Sequence, residues 1–296
     1  RRHRGAGDVA ALGVQALERA GVKVDPLYCD MDGTFPNHHP DPTVPKNLAA
    51  LIARVKETGA RVGLAYDGDA DRLGAVDELG NIIWGDKLMI LFSRALLKVH
   101  PGASVIGEVK CSQTLYDDIA KNGGNPILWK TGHSLIKAKM KESGALLAGE
   151  MSGHLFFADR WFGFDDALYA GLRLLEILAG DSRSLSEMLA DVPATFTTPE
   201  LRVDCPDAIK FDVVAKVTAH YQAKGNPVVA IDGARISFPS KTISNGVAAP
   251  SWGLVRASNT GPILVLRFEA GSEEELAANR AEVEAIVAEA RAAAAS

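Results

Sequence analysis

The stretch YDGDADRLG, residues 66–74, sets aspartates at 67, 69 and 71 and an arginine at 72, with only glycine and alanine between the acids. Carboxylates this close repel one another unless a cation offsets them. They follow RVGLAY (61–66), an apolar run that reads as a strand. At a strand end with small spacers, Asp67, Asp69 and Asp71 can aim at one centre. Hard oxygen donors with open positions suit Mg2+, which usually shares its shell with water and a phosphate oxygen. Arg72 adds a donor able to hold a phosphoryl oxygen bidentately, and metal plus arginine points to phosphoryl transfer. The bland alternative is a solvated turn. A calcium loop does not fit. Asp67, Asp69, Asp71 and Glu78 match the acidic positions, but Arg72 stands where the turn glycine should be, and a strand precedes where a helix is required.

Outward from the aspartates, helix and strand signals alternate to about residue 180. NLAALIARVKETGA (47–60) reads as a helix before the strand. After it come KLMILFSRALLKVH (87–100, helix), ASVIGEV (103–109, strand), QTLYDDIAKNGG (113–124, helix) and PILWK (126–130, strand). SLIKAKMKESG (134–144, helix), ALLAGE (145–150, strand) and DDALYAGLRLLEILAG (165–180, helix) complete the series. Beyond Pro193 the texture changes. ELRVDC (200–205), VVAIDGARISF (228–238), WGLVRAS (252–258) and PILVLRFEA (262–270) read as strands, with helices near 209–223 and 272–294. The expected fold class is α/β, with two α/β domains, the first incomplete, then a smaller α+β domain with an antiparallel sheet. The limits fall at 1–81, 82–193 and 194–296. The start lacks an initiator Met and runs from a Gly-containing turn through an apolar-periodic helix into a strand near 22–28. An α/β unit normally has a strand before that turn, so sequence upstream is expected.

The 296 residues include 32 Lys plus Arg against 37 Asp plus Glu, a net charge of −5 that offers no basic face for nucleic acid. No apolar run approaches the roughly 20 residues of a membrane helix. Cys29, Cys111 and Cys205 form neither a zinc pattern nor a disulfide framework, so a reducing cytoplasm is the default.

Two further segments carry chemistry. In GEMSGHLFF (149–157), Glu150, Ser152 and His154 alternate, so an extended backbone would put them on one side to grip sugar hydroxyls. A polar hairpin turn is the alternative. RASNTGP (256–262) offers Arg256, Ser258, Asn259, Thr260 and successive backbone N–H groups, a cradle for a phosphate. It also spells an ordinary turn.

Together DGDADR, GEMSGH and RASNTGP resemble the metal, sugar-specificity and phosphate-binding loops of the α-D-phosphohexomutases, especially the bacterial phosphomannomutase/phosphoglucomutase branch. KTGHSLIKAKMKESGALLAGEMSGHLFF and RWFGFDDALYAGLRLLEIL also resemble that branch. The resemblance implies an isomerase that interconverts hexose 6-phosphate and 1-phosphate of mannose, glucose or both, with hexose 1,6-bisphosphate as activator. In that family a phosphoserine donates its phosphoryl group, and Mg2+ sits beside it. The resemblance makes Asp67, Asp69 and Asp71 metal ligands and Arg72 a phosphoryl contact. It has Glu150 and Ser152 bind sugar hydroxyls with His154 nearby, and Arg256, Ser258, Asn259 and Thr260 hold the non-reacting phosphate. Lys110 in EVKCS and His133 in KTGHS match cleft positions suited to proton transfer; alone, they read equally as a strand-end cation and a helix-start residue. The family's TASHNP-like serine loop does not occur, and PNHHPDP (36–42) contains no serine. The expectation is therefore the end of domain 2 followed by domains 3 and 4, monomeric, with the phosphoserine domain missing and no turnover by this chain alone.

A rival lies in CDMDGTF (29–35), which carries the DxDGT pattern of haloacid-dehalogenase-type phosphatases. Asp30 would be the nucleophile and Asp32 the acid/base, with Asp165 and Asp166 on Mg2+. That motif should end a buried apolar strand, whereas Asp25 and Pro26 interrupt VKVDPLYCD. A third possibility is a non-catalytic sugar-phosphate-binding module.

Overall fold

The computed structural model describes residues 6–30 and 32–295, with side chains described from Leu12 to Ala294 except Met31. The turn expected at the extreme start lies outside the described residues. The chain divides into two compact units. One gathers the described residues up to Leu128 with Gly132–Ala190, and the other Trp129–Thr131 with the described residues from Asp191 onward.

In the first unit, helix α1 (Ala6–Arg19) is followed by an irregular segment and by α2 (Ala49–Thr58). The strand expected near 22–28 does not form. Pro26 has no N–H to give a ladder, and the segment finds no strand partner among the described residues. Strands β1 (Val62–Tyr66), β2 (Leu73–Asp77) and β3 (Ile82–Ile83) make a sheet in that order, antiparallel throughout. Tyr66 pairs with Leu73, so the aspartate stretch closes a hairpin instead of leading into a crossover. Every β2 residue is buried, which hides it from any search for alternation.

The next layer alternates as expected: α3 (Gly85–Val99), β4 (Ser104–Glu108), α4 (Gln113–Lys121), β5 (Asn125–Trp129), α5 (His133–Ser143) and β6 (Leu147–Gly149). Helix α3 buries Leu88 to Ser93 without a break, so it packs on more than one side. Strands β4 and β6 are parallel, and β7 (Leu155–Phe157) returns antiparallel to β6, giving the order β5-β4-β6-β7. Helix α6 (Ala167–Ala179) starts at Asp166, whose carboxylate accepts the Tyr169 N–H at 2.9 Å. Helix α7 (Leu185–Leu189) starts with a Ser184/Glu187 capping box. The buried Arg173 of α6 makes two 3.0 Å bonds to Asp159 and lies 4.7 Å over the Phe157 ring.

The second unit is an antiparallel sheet with two helices on one face. Its elements are β8 (Phe196–Thr197), β9 (Leu201–Asp204), α8 (Lys210–Lys224), β10 (Val228–Val229), β11 (Ala234–Ser237), a small β12 (Ile243–Ser244) and β13 (Val247–Ala248) hairpin, β14 (Trp252–Ala257), β15 (Ile263–Ala270) and α9 (Glu273–Ala295). The sheet runs β10-β11-β14-β15-β8, with β9 also on β15. The strand expected over 228–238 is two strands, because Gly233 turns the chain at φ +96°. A Cβ there would stand 2.5 Å from the Val255 carbonyl oxygen, so only glycine fits. Val213, Val217 and Tyr221 of α8 meet Val283 and Val287 of α9 over Val255, Leu266 and Phe268, each fully buried apolar side chain contributing about 1.5–3 kcal/mol. On β14 and β15, Trp252 Nε1 donates to the fully buried Glu269 at 2.5 Å.

Candidate active site

The first unit gathers most of the residues singled out in the sequence. Asp67 is 2% exposed. Its Oδ1 accepts the N–H groups of Asp71 and Arg72 at 3.0 Å each, and its Oδ2 accepts Arg72 Nε at 2.7 Å. Burial pushes the Asp67 carboxyl above the usual carboxylate range, although the bonds from Arg72 oppose it. Ala70 occupies the left-handed region at φ +58°, unfavourable for a residue with a Cβ, and this tight bend lets the loop fold back. Carboxylate oxygens of Asp67, Asp69 and Asp71 come within 4.8 Å of one another. Arg72 Nη1 reaches Asp41 at 3.2 Å, and Nη2 has no hydrogen-bond partner among the described residues. Asp41, anchored by the Thr43 N–H and hydroxyl at 2.9 and 2.7 Å, therefore helps aim the guanidinium.

Glu150, Ser152 and His154 converge, though not on an extended segment. Gly149 pairs with Leu155 across β6 and β7, and Glu150–His154 is the turn between them. The Glu150 N–H donates to the His154 carbonyl at 2.9 Å, and the Gly153 N–H to the Glu150 carbonyl at 3.1 Å. The turn, not strand alternation, brings the side chains together. The Ser152 hydroxyl donates to Glu150 Oε2 at 3.1 Å, and His154 Nδ1 lies 3.0 Å from Ser152 Oγ and 3.2 Å from Glu150 Oε2. His154 Nε2 lies 3.3 Å from Asp71, which joins this turn to the aspartate loop. Burial works against a charged imidazole here, yet the Asp71 and Glu150 carboxylates carry His154 up to about 9. His154 in turn holds Asp71 below the carboxylate range. Burial tends to raise Glu150, but His154, Lys110 and the Gly132 N–H outweigh it and lower its pKa.

Backbone contacts fix the same junction. The Leu73 N–H donates to the Gly153 carbonyl at 3.0 Å, and Arg72 bridges His154. Gly153 sits at φ +98°, and a Cβ on it would stand 2.5 Å from the Leu73 carbonyl oxygen. His133 opens α5, half-exposed, with its ring stacked 6.3 Å from that of His154 and Nδ1 3.8 Å from Asp165. Lys110, just past β4, is buried; its N–H donates to Glu108 at 2.9 Å, and its Nζ lies 3.9 Å from the same carboxylate. Glu108 also accepts the Met151 N–H at 3.3 Å, so it braces Lys110 and the 150–154 turn together.

In the second unit, Arg256 is buried and its guanidinium pairs with Asp232 at 3.1 Å. Ser258 is buried beside it, with Asn259 and Thr260 exposed at the loop tip. Ser258 Oγ accepts the Thr260 N–H at 3.2 Å, and the Ser258 N–H donates to the Ile263 carbonyl at 3.0 Å.

Three family models cover the chain in order. Residues 3–80 match phosphoglucomutase/phosphomannomutase alpha/beta/alpha domain II, 84–196 alpha/beta/alpha domain III and 200–286 the C-terminal domain. The chain belongs to the phosphoglucomutase/phosphomannomutase family. A phosphomannomutase/phosphoglucomutase of Pseudomonas aeruginosa is 48% identical over 272 residues, covering 92% of this chain and 57% of that protein. A phosphoglucomutase of Neisseria meningitidis is 51% identical over 255 residues, covering 86% of this chain and 53% of the relative. Among solved structures, a phosphoglucomutase/phosphomannomutase family protein from Burkholderia thailandensis superposes with a TM-score of 0.86 at 44% identity, over 97% of this chain and 59% of that one. The chain thus spans a little over half the length of these relatives.

Family membership overturns the haloacid-dehalogenase rival, and the local structure says why. Asp32 is exposed and spends Oδ1 on the N–H and hydroxyl of Thr34, at 2.9 and 2.7 Å. No strand leads into Asp30, Asp166 caps α6, and Asp165 pairs with Lys137 at 3.1 Å. Neither Asp30 nor Asp32 joins a metal-ligating cluster among the described residues.

Asp41, Glu108 and Asp232, each orienting a singled-out side chain, went unread in the sequence. Asp41 had a signal in DPT (41–43), where an Asp two residues before a Thr makes a side-chain turn. Glu108 and Asp232 had none beyond being acids at a strand end and in a turn.

Proposed function

We propose that this chain forms the cation-, sugar- and phosphate-binding part of a phosphohexomutase, which interconverts hexose 6-phosphate and hexose 1-phosphate of mannose, glucose or both. The phosphoryl-donating serine would lie in sequence outside these residues. The convergence of Asp67, Asp69 and Asp71 in the hairpin loop that also holds Arg72 carries the proposal.

The donor set fits Mg2+. Two ligands at about 2.1 Å from one ion stand at most roughly 4.2 Å apart, so oxygens within 4.8 Å need to close by less than an ångström. Bound there, Mg2+ would offset the charge of a phosphoryl group. Arg72, aimed by Asp67 and Asp41, keeps Nη2 for a phosphoryl oxygen. Glu150 and Ser152 would exchange their mutual hydrogen bond for sugar hydroxyls, with His154 holding the Glu150 carboxylate in place. Lys110 and His133 would serve proton transfer, and Arg256, Ser258, Asn259 and Thr260 would hold the phosphate that is not reacting. The same proposal places the domain limits at 81/82 and 193/194. It takes the enzyme as cytoplasmic and monomeric, activated by a hexose 1,6-bisphosphate.

The test is turnover of mannose 1-phosphate and glucose 1-phosphate, with Mg2+ and catalytic glucose 1,6-bisphosphate. This chain is compared with a version lengthened upstream to the span of its relatives. Activity of the longer version alone is the expected outcome. No activity in either, with both folded, would overturn the proposal.

A further inference from the structure

Lys210 is an unexpected residue in its place. It opens α8, where the helix dipole disfavours a cation, and only 6% of it is exposed. What compensates it is the loop at 258–261. Nζ donates to the Ser258 carbonyl at 2.6 Å and to the Gly261 carbonyl at 3.1 Å, and lies 2.7 Å from Asp207, whose side chain is largely exposed. In a planar trans peptide the carbonyl of one residue and the N–H of the next point in opposite directions. Drawing the Ser258 carbonyl onto Nζ therefore turns the Asn259 N–H away from Lys210. Asn259 is exposed at the tip, and its N–H and that of Gly261 have no hydrogen-bond partner among the described residues. The neighbouring N–H groups are already spent: that of Ser258 on Ile263 and that of Thr260 on Ser258 Oγ.

We propose that Lys210 is a positioning residue for the phosphate loop: its ammonium holds the Ser258 carbonyl inward, which turns the Asn259 N–H out for a phosphate, and pins the far end of the loop through the Gly261 carbonyl, beside the unspent Gly261 N–H. The inference rests on residues 256–262 being the phosphate site. Lys210 acts without touching the ligand, because it is buried beneath the loop. Its charge also lies under the bound anion and adds to the field there.

The test uses the 296-residue chain, with glucose 6-phosphate as the probe. Amide resonances are followed by NMR during titration, and a thermal melt is recorded for each variant. In the unmodified chain the Asn259 and Gly261 amides should shift on titration. Lys210→Met should weaken the dissociation constant about tenfold, a typical effect of losing one charge-assisted hydrogen bond, and shrink the Asn259 shift. Val213→Ala, one turn along α8 and facing the core, should lower the melting temperature while leaving affinity and both shifts unchanged. If Lys210→Met does not fold, Lys210→Gln, which keeps one donor group but no charge, should show the same weakening. Unchanged affinity in a folded Lys210 variant, with the loop amides of the unmodified chain still responding, overturns this inference and leaves the phosphate site standing. No response of the loop amides in the unmodified chain overturns both.

Discussion

Asp67 and Asp69 are both expected to bind the cation, but only one of them also holds the fold. Asp67 is 2% exposed and accepts three hydrogen bonds, at 3.0, 3.0 and 2.7 Å. In Asp67→Asn the carbonyl oxygen can keep the two backbone donors, but the new amide presents N–H to Arg72 Nε, donor against donor. A lost hydrogen bond to a charged group costs about 1.5–3 kcal/mol. The relief of burying one charge fewer offsets part of that, and Arg72 keeps Asp41 at 3.2 Å. The net loss should be about 2 kcal/mol. Asp69 is exposed and has no hydrogen-bond partner among the described residues, so Asp69→Asn should stay within about 0.5 kcal/mol of the parent. Both variants should lose cation affinity. Urea denaturation in EDTA gives the stabilities, and Mn2+ titration followed by electron paramagnetic resonance gives the affinities. If Asp69→Asn unfolds as early as Asp67→Asn, the assignment of structural work to Asp67 alone is wrong. If Asp69→Asn binds Mn2+ like the parent, the three aspartates are not one centre.

Gly153→Ala should cost about 2–4 kcal/mol in a urea melt, from left-handed backbone strain plus loss of the Leu73 hydrogen bond as the Cβ pushes the Leu73 carbonyl away from 2.5 Å; a loss under 1 kcal/mol would mean the junction yields freely. Asp159→Asn takes a charged acceptor from the buried Arg173, which keeps the Tyr169 hydroxyl at 3.2 Å and Glu176 at 3.3 Å, and should cost about 1.5–3 kcal/mol, most of it recovered in Asp159→Leu/Arg173→Met. Failure of the double variant to recover would show that the pair does more than satisfy itself. Trp252→Phe strips a donor from the fully buried Glu269, which keeps Thr195 at 2.8 Å, so calorimetry should register a loss of about 2 kcal/mol.

The sequence was legible where side-chain chemistry is local. Three acids in five residues need a shared partner whatever surrounds them, and the long helices of the first unit follow from apolar period, whereas the five-residue α7 is too short to show one. Strand β2 escaped because LGAVD is buried on both faces and shows no alternation. Strand β7 escaped because LFF is too short to have a period. The spacing of GEMSGH predicts an extended segment because every second residue carries a functional group, a spacing that a turn with Gly153 in the left-handed region also brings together. Asp232 and Lys210 were invisible for another reason. Their partners, Arg256 and the 258–261 carbonyls, lie more than twenty residues away, and no local pattern encodes a contact made by tertiary packing.

The hydrogen bond from Leu73 to Gly153 joins a segment matched as domain II to one matched as domain III, and both partners are backbone atoms. For anyone trading pieces between relatives, this determines where the scissors may go. A graft cut at residue 81 separates the two halves of that seam, and every incoming segment must then restore its spacing without a single insertion on either side. A cut at 190 carries the seam whole provided position 153 has no side chain, but it parts Thr131 from Asp232, whose carboxylate accepts the Thr131 N–H at 2.9 Å.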